Sequence, residues 1–115
     1  MAGLPTLIGT DNQIAWAHQI RERVGREFDR VANALLQVAA RQVESDRENT
    51  HALLAILEEK RREVMANGRA GYFIHDWQEL GDGVRRMLMT DPRSVAITAK
   101  RVARQFMARQ RAAGI

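Results

Sequence analysis

Apolar side chains recur at Ile14, Ala17, Ile20, Val24, Phe28, Val31, Leu35 and Val38, always three or four positions apart. That spacing draws one stripe along a helix, close to a heptad seam. Thr10 followed by Gln13 fits a capping box, in which the threonine oxygen takes a free first-turn N–H and the glutamine reaches back. Asp11 adds negative charge at the positive end of the helix dipole. A helix is predicted over 11–43, about 50 Å long at about 1.5 Å per residue. Only Gly25 weakens the run.

A second capping box, Ser45 with Glu48, predicts a tight turn near 45 and a helix over 46–66. Its stripe is Leu53, Ile56, Leu57 and Val64, with Leu54 beside it. Glu58 and Arg62 stand i,i+4 on the outside in the favourable order. Without the turn, 11–66 would form one helix too long for a compact domain. Asn67–Gly68 supplies a C-terminal stop, glycine being able to take the left-handed conformation. Tyr72, Phe73, Trp77 and Leu80 then repeat at helical spacing. They predict a short helix over 70–80 whose aromatic face closes the core, ended by Gly81. A short helix over 83–89 carries Val84, Met87 and Leu88. Asp91 as N-cap with Pro92 at the first helical position is a strong start signal for a last helix over 92–112.

The reading is an all-α fold in one domain. A long antiparallel helical hairpin carries an aromatic helix, a short helix and a C-terminal amphipathic helix. Composition agrees: apolar residues make up 45% of the 115 and charged residues 28%, with only two prolines. There is no cysteine, which excludes a disulfide framework and thiolate chemistry. The N-terminus lacks a signal-peptide pattern and the apolar runs are far short of a membrane span. A cytoplasmic protein without a membrane partner is expected.

Charge changes the picture at one end. The net charge is +4. Arg93, Lys100, Arg101, Arg104, Arg109 and Arg111 lie between Pro92 and Ile115 without one acid, while the rest of the chain is slightly acidic. At about 100° per residue, Lys100, Arg104 and Arg111 fall within about 20° of Arg93, with Arg101 about 80° away. Val95, Ala99, Val102, Phe106 and Ala113 gather near the opposite side. The expected arrangement puts the oily side in the core and a cationic ladder in water. Such a ladder suits phosphates or an acidic protein surface. Ile97 lies within the basic side and reads as an apolar contact to a partner protein. Residues 84–89 and 92–112 also imitate a helix-turn-helix, with Arg93, Ser94, Thr98 and Arg101 as base readers.

Chemistry is harder to find. His18, His51 and His75 lack metal-ligand spacing, so no metal or other cofactor is predicted. His75–Asp76 are neighbours in sequence and point about 100° apart on a helix. No nucleophile elbow or phosphate loop is present, and the protein is read as a non-enzyme. Trp16 beside the first seam, and Trp77, read chiefly as scaffold and secondarily as partner-binding hot spots.

The segment "TDNQIAWAHQIR" resembles one found in small uncharacterised proteins of prophages, plasmids and related mobile elements. That pattern runs Thr-Gly-Ser/Thr-x-Lys-Gln-Ile-x-Trp-Ala-x-x-Ile-Arg. Gly9, Thr10, Gln13, Ile14, Trp16, Ala17, Ile20 and Arg21 match it, and Asn12 replaces the usual lysine. A later aromatic segment of those proteins has its counterpart in "YFIHDW", where Phe73 and Ile74 fit and His75 and Asp76 do not. The resemblance covers roughly a quarter of the chain and implies a mobile-element setting without an activity.

The expected function is non-catalytic binding to a nucleic-acid-handling complex in a bacterial host cytosol. One concrete form is an anti-CRISPR-like inhibitor of a defence system. The partner would be an acidic protein surface or nucleic acid, held by Arg93, Lys100, Arg101, Arg104, Arg111 and Ile97. The alternatives are a DNA-binding regulator built on the last two helices, and a structural homodimer through the seam of the first helix.

Overall fold

The computed structural model describes residues 3–114. They form five helices: α1 (Asp11–Ala39), α2 (Glu44–Met65), α3 (Ala70–Trp77), α4 (Gly83–Thr90) and α5 (Pro92–Ala112). The all-α hairpin architecture is that expected. The described residues fill an elongated slab of 67 × 28 × 18 Å.

The capping box at Thr10 is formed in both directions. Gln13 N donates to Thr10 Oγ1 at 3.2 Å, and Thr10 N donates to Gln13 Oε1 at 3.0 Å. From there the seam enters the core: Ala17, Ile20, Val24, Phe28 and Val31 are all buried. Ile56, Leu57, Val64 and Met65 of α2 meet them, as do Phe73 and Trp77 of α3 and Val84 and Leu88 of α4. The first seam is therefore internal over most of its length, which leaves a homodimer through it only the C-terminal end. Only its end is wet, where Leu36 and Val38 are exposed.

The hairpin turn differs from the expected one. α1 stops at Ala39 rather than 43, and α2 begins at Glu44, with Val43 as an N-cap that offers no side-chain bond. Ser45 therefore lies inside the helix and forms no capping box with Glu48. The turn is closed from across the hairpin instead. Arg47 donates to the carbonyls of Ala39 at 3.3 Å and Gln42 at 2.9 Å, and Thr50 Oγ1 donates to Gln42 Oε1 at 2.6 Å. A guanidinium that satisfies late α1 carbonyls does the work a local cap would do. On the outside of α2, Glu58 lies 3.5 Å from Arg61 rather than pairing with Arg62. Arg61 also reaches Asp29 at 2.6 Å and stacks over the Phe28 ring at 5.6 Å.

Gly68 does not use a left-handed conformation; among the described glycines only Gly81 and Gly114 have positive φ. The chain leaves α2 to pair with the N-terminal segment. Ile8 N donates to Gly68 O at 2.8 Å, and Ala70 N donates to Ile8 O at 3.0 Å. Buried Arg21 fastens the same segment by donating to Pro5 O at 2.7 Å, which places Leu7 in the core. α3 ends at Trp77 instead of 80, because the chain turns through Gly81 at φ +43°.

α5 begins as expected, with Asp91 as N-cap and Pro92 in the first turn. It runs antiparallel to α2: Asp91 lies beside Lys60, Arg93 beside Glu59, and Arg104 beside Asp46. Its last turns therefore extend past the start of α2.

Candidate functional site

The root of α5 is an ion-pair cluster. Asp91 Oδ1 accepts from Arg93 N at 2.8 Å and from Arg93 Nε at 3.0 Å, and Lys60 Nζ lies 3.1 Å from Asp91 Oδ2. Arg93 Nη2 reaches Glu59 Oε2 at 2.6 Å. The Arg93 guanidinium, then its backbone N–H, then Lys60 hold the Asp91 carboxyl far below the usual carboxylate range. Asp91 and then Glu59 raise Arg93 beyond its ordinary value. A carboxyl depressed in the folded state gives stability that is complete above its unfolded pKa, about 3.9. That stability is lost as pH falls below that value toward the folded one. Below about pH 4, the melting temperature of the wild type is expected to fall more steeply than that of Asp91→Asn, which keeps a capping oxygen without the charge. Parallel curves by circular dichroism would contradict the role of this carboxylate.

Further along, Arg104 Nη2 meets Asp46 Oδ1 at 3.3 Å. Ser94 is fully buried, Ile97 and Arg101 are partly buried, and the Arg101 Nε is out of contact with water and has no hydrogen-bond partner. The side of α5 turned to α2 is thus that of Ser94, Ile97 and Arg101, and the basic ladder runs along its edge, with the Arg93 and Arg104 side chains still 52% and 46% exposed. The apolar stripe expected in the core is instead in water, while the ladder is exposed as expected. Val95, Val102, Phe106 and Met107 are 54–58% exposed, and Ala99, Ala103 and Ala113 are exposed with them.

Magnitudes make the placement of the stripe informative. Burying a Val, Phe or Met side chain is worth about 1.5–3 kcal/mol. An exposed ion pair is worth about 0–1 kcal/mol. Summed over α5, those terms alone would turn the oily side inward. What overrides them is the corner between α4 and α5. A single residue, Asp91, separates the two helices. Val84 and Leu88 of α4 are buried, and Ser94, one turn into α5, is buried at 0% exposure. The corner sets the rotation of α5, and the apolar stripe goes wherever that rotation sends it.

The individual residues sort accordingly. Arg93 and Arg104 are partnered by α2 carboxylates, and Ile97 lies in the packed side of α5 instead of facing outward to a partner. Lys100, Arg109 and Arg111 are exposed and have no ion pair among the described residues. Lys100, Ala103, Arg104, Met107 and Arg111 line one shallow groove along the helix. The helix-turn-helix arrangement is not presented: Ser94 is buried, Arg93 is held by two carboxylates, and one residue replaces the usual turn of three or four.

Trp77 is a core residue at 6% exposure, its Nε1 donating to Tyr72 Oη at 2.9 Å. The indole packs 3.3 Å from where a Cβ on Gly83 would stand, which is why the start of α4 can approach it. Trp77 is therefore not a surface hot spot. Trp16 is 44% exposed and stays available as one. His75 and Asp76 are both exposed, and no group of three or more metal-ligating side chains occurs among the described residues. The residues that sequence reasoning missed are Asp46, Glu59 and Lys60 on α2. Their signal was a near-constant sum of partner positions along two antiparallel helices, visible only once the pairing is known.

No helix among the described residues is long and apolar enough to cross a membrane. No family model, no curated protein and no solved structure matches the chain.

Proposed function

We propose that the protein is a non-catalytic binding protein that engages an acidic protein surface through the exposed groove on α5. The observation that carries this reading is the mixture of chemistry in that groove. Lys100, Arg104 and Arg111 flank Met107 and Ala103 on a helix that has no acid of its own. A phosphate backbone satisfies the cations but leaves the apolar floor wet. A protein surface with carboxylates beside an apolar side chain satisfies both. The mobile-element resemblance supplies the setting: a component of a bacterial nucleic-acid-handling complex, with inhibition of a defence system as the concrete form.

The test is capture from a bacterial lysate, with and without nuclease treatment, with the wild type and with Lys100→Glu/Arg111→Glu in parallel. A protein retained by the wild type from the nuclease-treated lysate at low salt, and lost at least about 10-fold with the double variant, is expected. Gel shifts of unrelated duplexes at low salt should show no binding. Capture abolished by nuclease, together with a duplex shift that falls steeply with salt, would move the partner to nucleic acid and overturn the protein-surface reading.

A further inference from the structure

We infer that the cleft between α1, the C-terminal end of α2 and the N-terminal segment binds a small organic monoanion with an apolar body, a medium-chain carboxylate being the simplest form. The cleft holds about 460 Å³, within the range of small-molecule sites. Leu4, Met65 and the bare backbone of Gly25 form its apolar part, and four cationic or ring side chains and one carboxylate form the rest. It shares no residue with the α5 groove.

Charge identifies the head of the ligand. Arg21 lines the cleft and is only 7% exposed. Its hydrogen-bond partners, Pro5 O at 2.7 Å and His18 Nδ1 at 3.1 Å, carry no negative charge. Among the described residues it enters no ion pair, whereas Arg61 in the same wall is answered by Asp29 and Glu58. A buried cation without a counter-charge is costly, and arginine does not relieve that cost by losing its proton. Arg62, exposed at the rim, also has no ion pair among the described residues. Glu22 is the one carboxylate in the lining, and it too is unpaired among them. Two unanswered arginines against one glutamate leave a single positive charge. That balance suits a carboxylate, which an arginine fork receives through two parallel bonds, and not a doubly charged phosphate. A neutral His18 that accepts from Arg21 at Nδ1 carries its proton on Nε2, a further donor.

Gly25 identifies the body. It stands in the middle of α1, where glycine weakens a helix. Backbone conformation does not require it, since its φ is not positive. Crowding does not require it either: a Cβ there would meet nothing nearer than Met65 Cε at 3.6 Å, an ordinary contact. What the missing side chain does is keep the floor of the cleft open. Gly25 lies one turn after Arg21 on the same face of α1, so the open floor begins beside the buried cation. An alkyl chain laid there covers Leu4 and Met65 while its carboxylate meets Arg21.

Titration of the isotope-labelled protein with octanoate, followed by amide NMR, tests this. Saturable shifts at Arg21, Glu22, Gly25 and Met65 are expected, with a Kd below about 1 mM. Acetate lacks the body, octanol lacks the charge and octylamine has the wrong sign, so each should bind at least about 10-fold more weakly. Gly25→Leu fills the floor with a better helix former. It should raise the melting temperature and weaken octanoate at least about 10-fold. Arg62 is exposed, so Arg62→Ala retains the fold and should weaken octanoate at least about 3-fold. A Kd above about 1 mM, equal binding of octanol, shifts centred on Lys100 and Met107, or full affinity in Arg62→Ala or in a folded Gly25→Leu would each overturn the proposal.

Discussion

Phe28→Ala will destabilise the protein by about 3–5 kcal/mol, while Phe106→Ala will change the stability of the dilute monomer by less than about 0.5 kcal/mol. The two rings look equivalent in sequence, each centred in an amphipathic stripe. In the fold, Phe28 is 0% exposed at the middle of the α1 seam, and Phe106 is 58% exposed on α5. Removing Phe28 leaves a cavity lined by a core that relaxes only in part, and it strips the surface over which Arg61 stacks. Against a total stability of about 5–15 kcal/mol for a domain of this kind, that loss is a large fraction. Removing Phe106 takes a ring out of water and leaves no hole. Urea denaturation at low concentration, where any dimer is dissociated, reads both. Comparable losses at the two positions would mean that α5 docks with its oily side inward after all.

Trp77→Ala will be about as severe as Phe28→Ala, at about 3–5 kcal/mol, and Trp16→Ala will be mild. Trp77 joins α3 to α4: its ring lies against Gly83 and its N–H is satisfied by Tyr72. Losing it uncouples the aromatic helix from α4, and α4 sets the rotation of α5. The thermal unfolding curve of Trp77→Ala should therefore broaden as well as shift. Trp16, 44% exposed on the first turns of α1, contributes little to folding and is free to contribute to binding. Its alanine variant should fold with wild-type cooperativity. If Trp16→Ala proved as destabilising as Trp77→Ala, the assignment of the two indoles would be reversed.

What could be read from the sequence was whatever local chemistry decides. The α1 start rests on Thr10 and Gln13, the α5 start on Asp91 and Pro92, and the core on the spacing from Ala17 to Val31. Each involves residues within one or two turns of one another. The α1–α2 turn was displaced by a few residues because its cap comes from Arg47 and Thr50 on the following helix. A side chain reaching across a turn leaves no short motif. The rotation of α5 was not legible at all. Amphipathicity assumes that an oily stripe finds the nearest core, which fails where a one-residue corner fixes a helix against its neighbour. The ladder at Arg93, Lys100, Arg104 and Arg111 was visible as a face. That Asp46 and Glu59 would claim two of its members depended on pairing between residues 58 and 34 positions apart in the chain.

α5 rests its Ser94, Ile97 and Arg101 side on α2 and turns its apolar stripe to water. The absence of native cysteine allows a direct measurement. Single variants Ser94→Cys and Val102→Cys would be labelled with a maleimide in dilute native buffer, each against its own urea-unfolded control. Labelling of Val102→Cys close to its unfolded rate, with Ser94→Cys slowed at least about 100-fold by burial, is the predicted result. Rapid labelling at 94 with protection at 102 would contradict it.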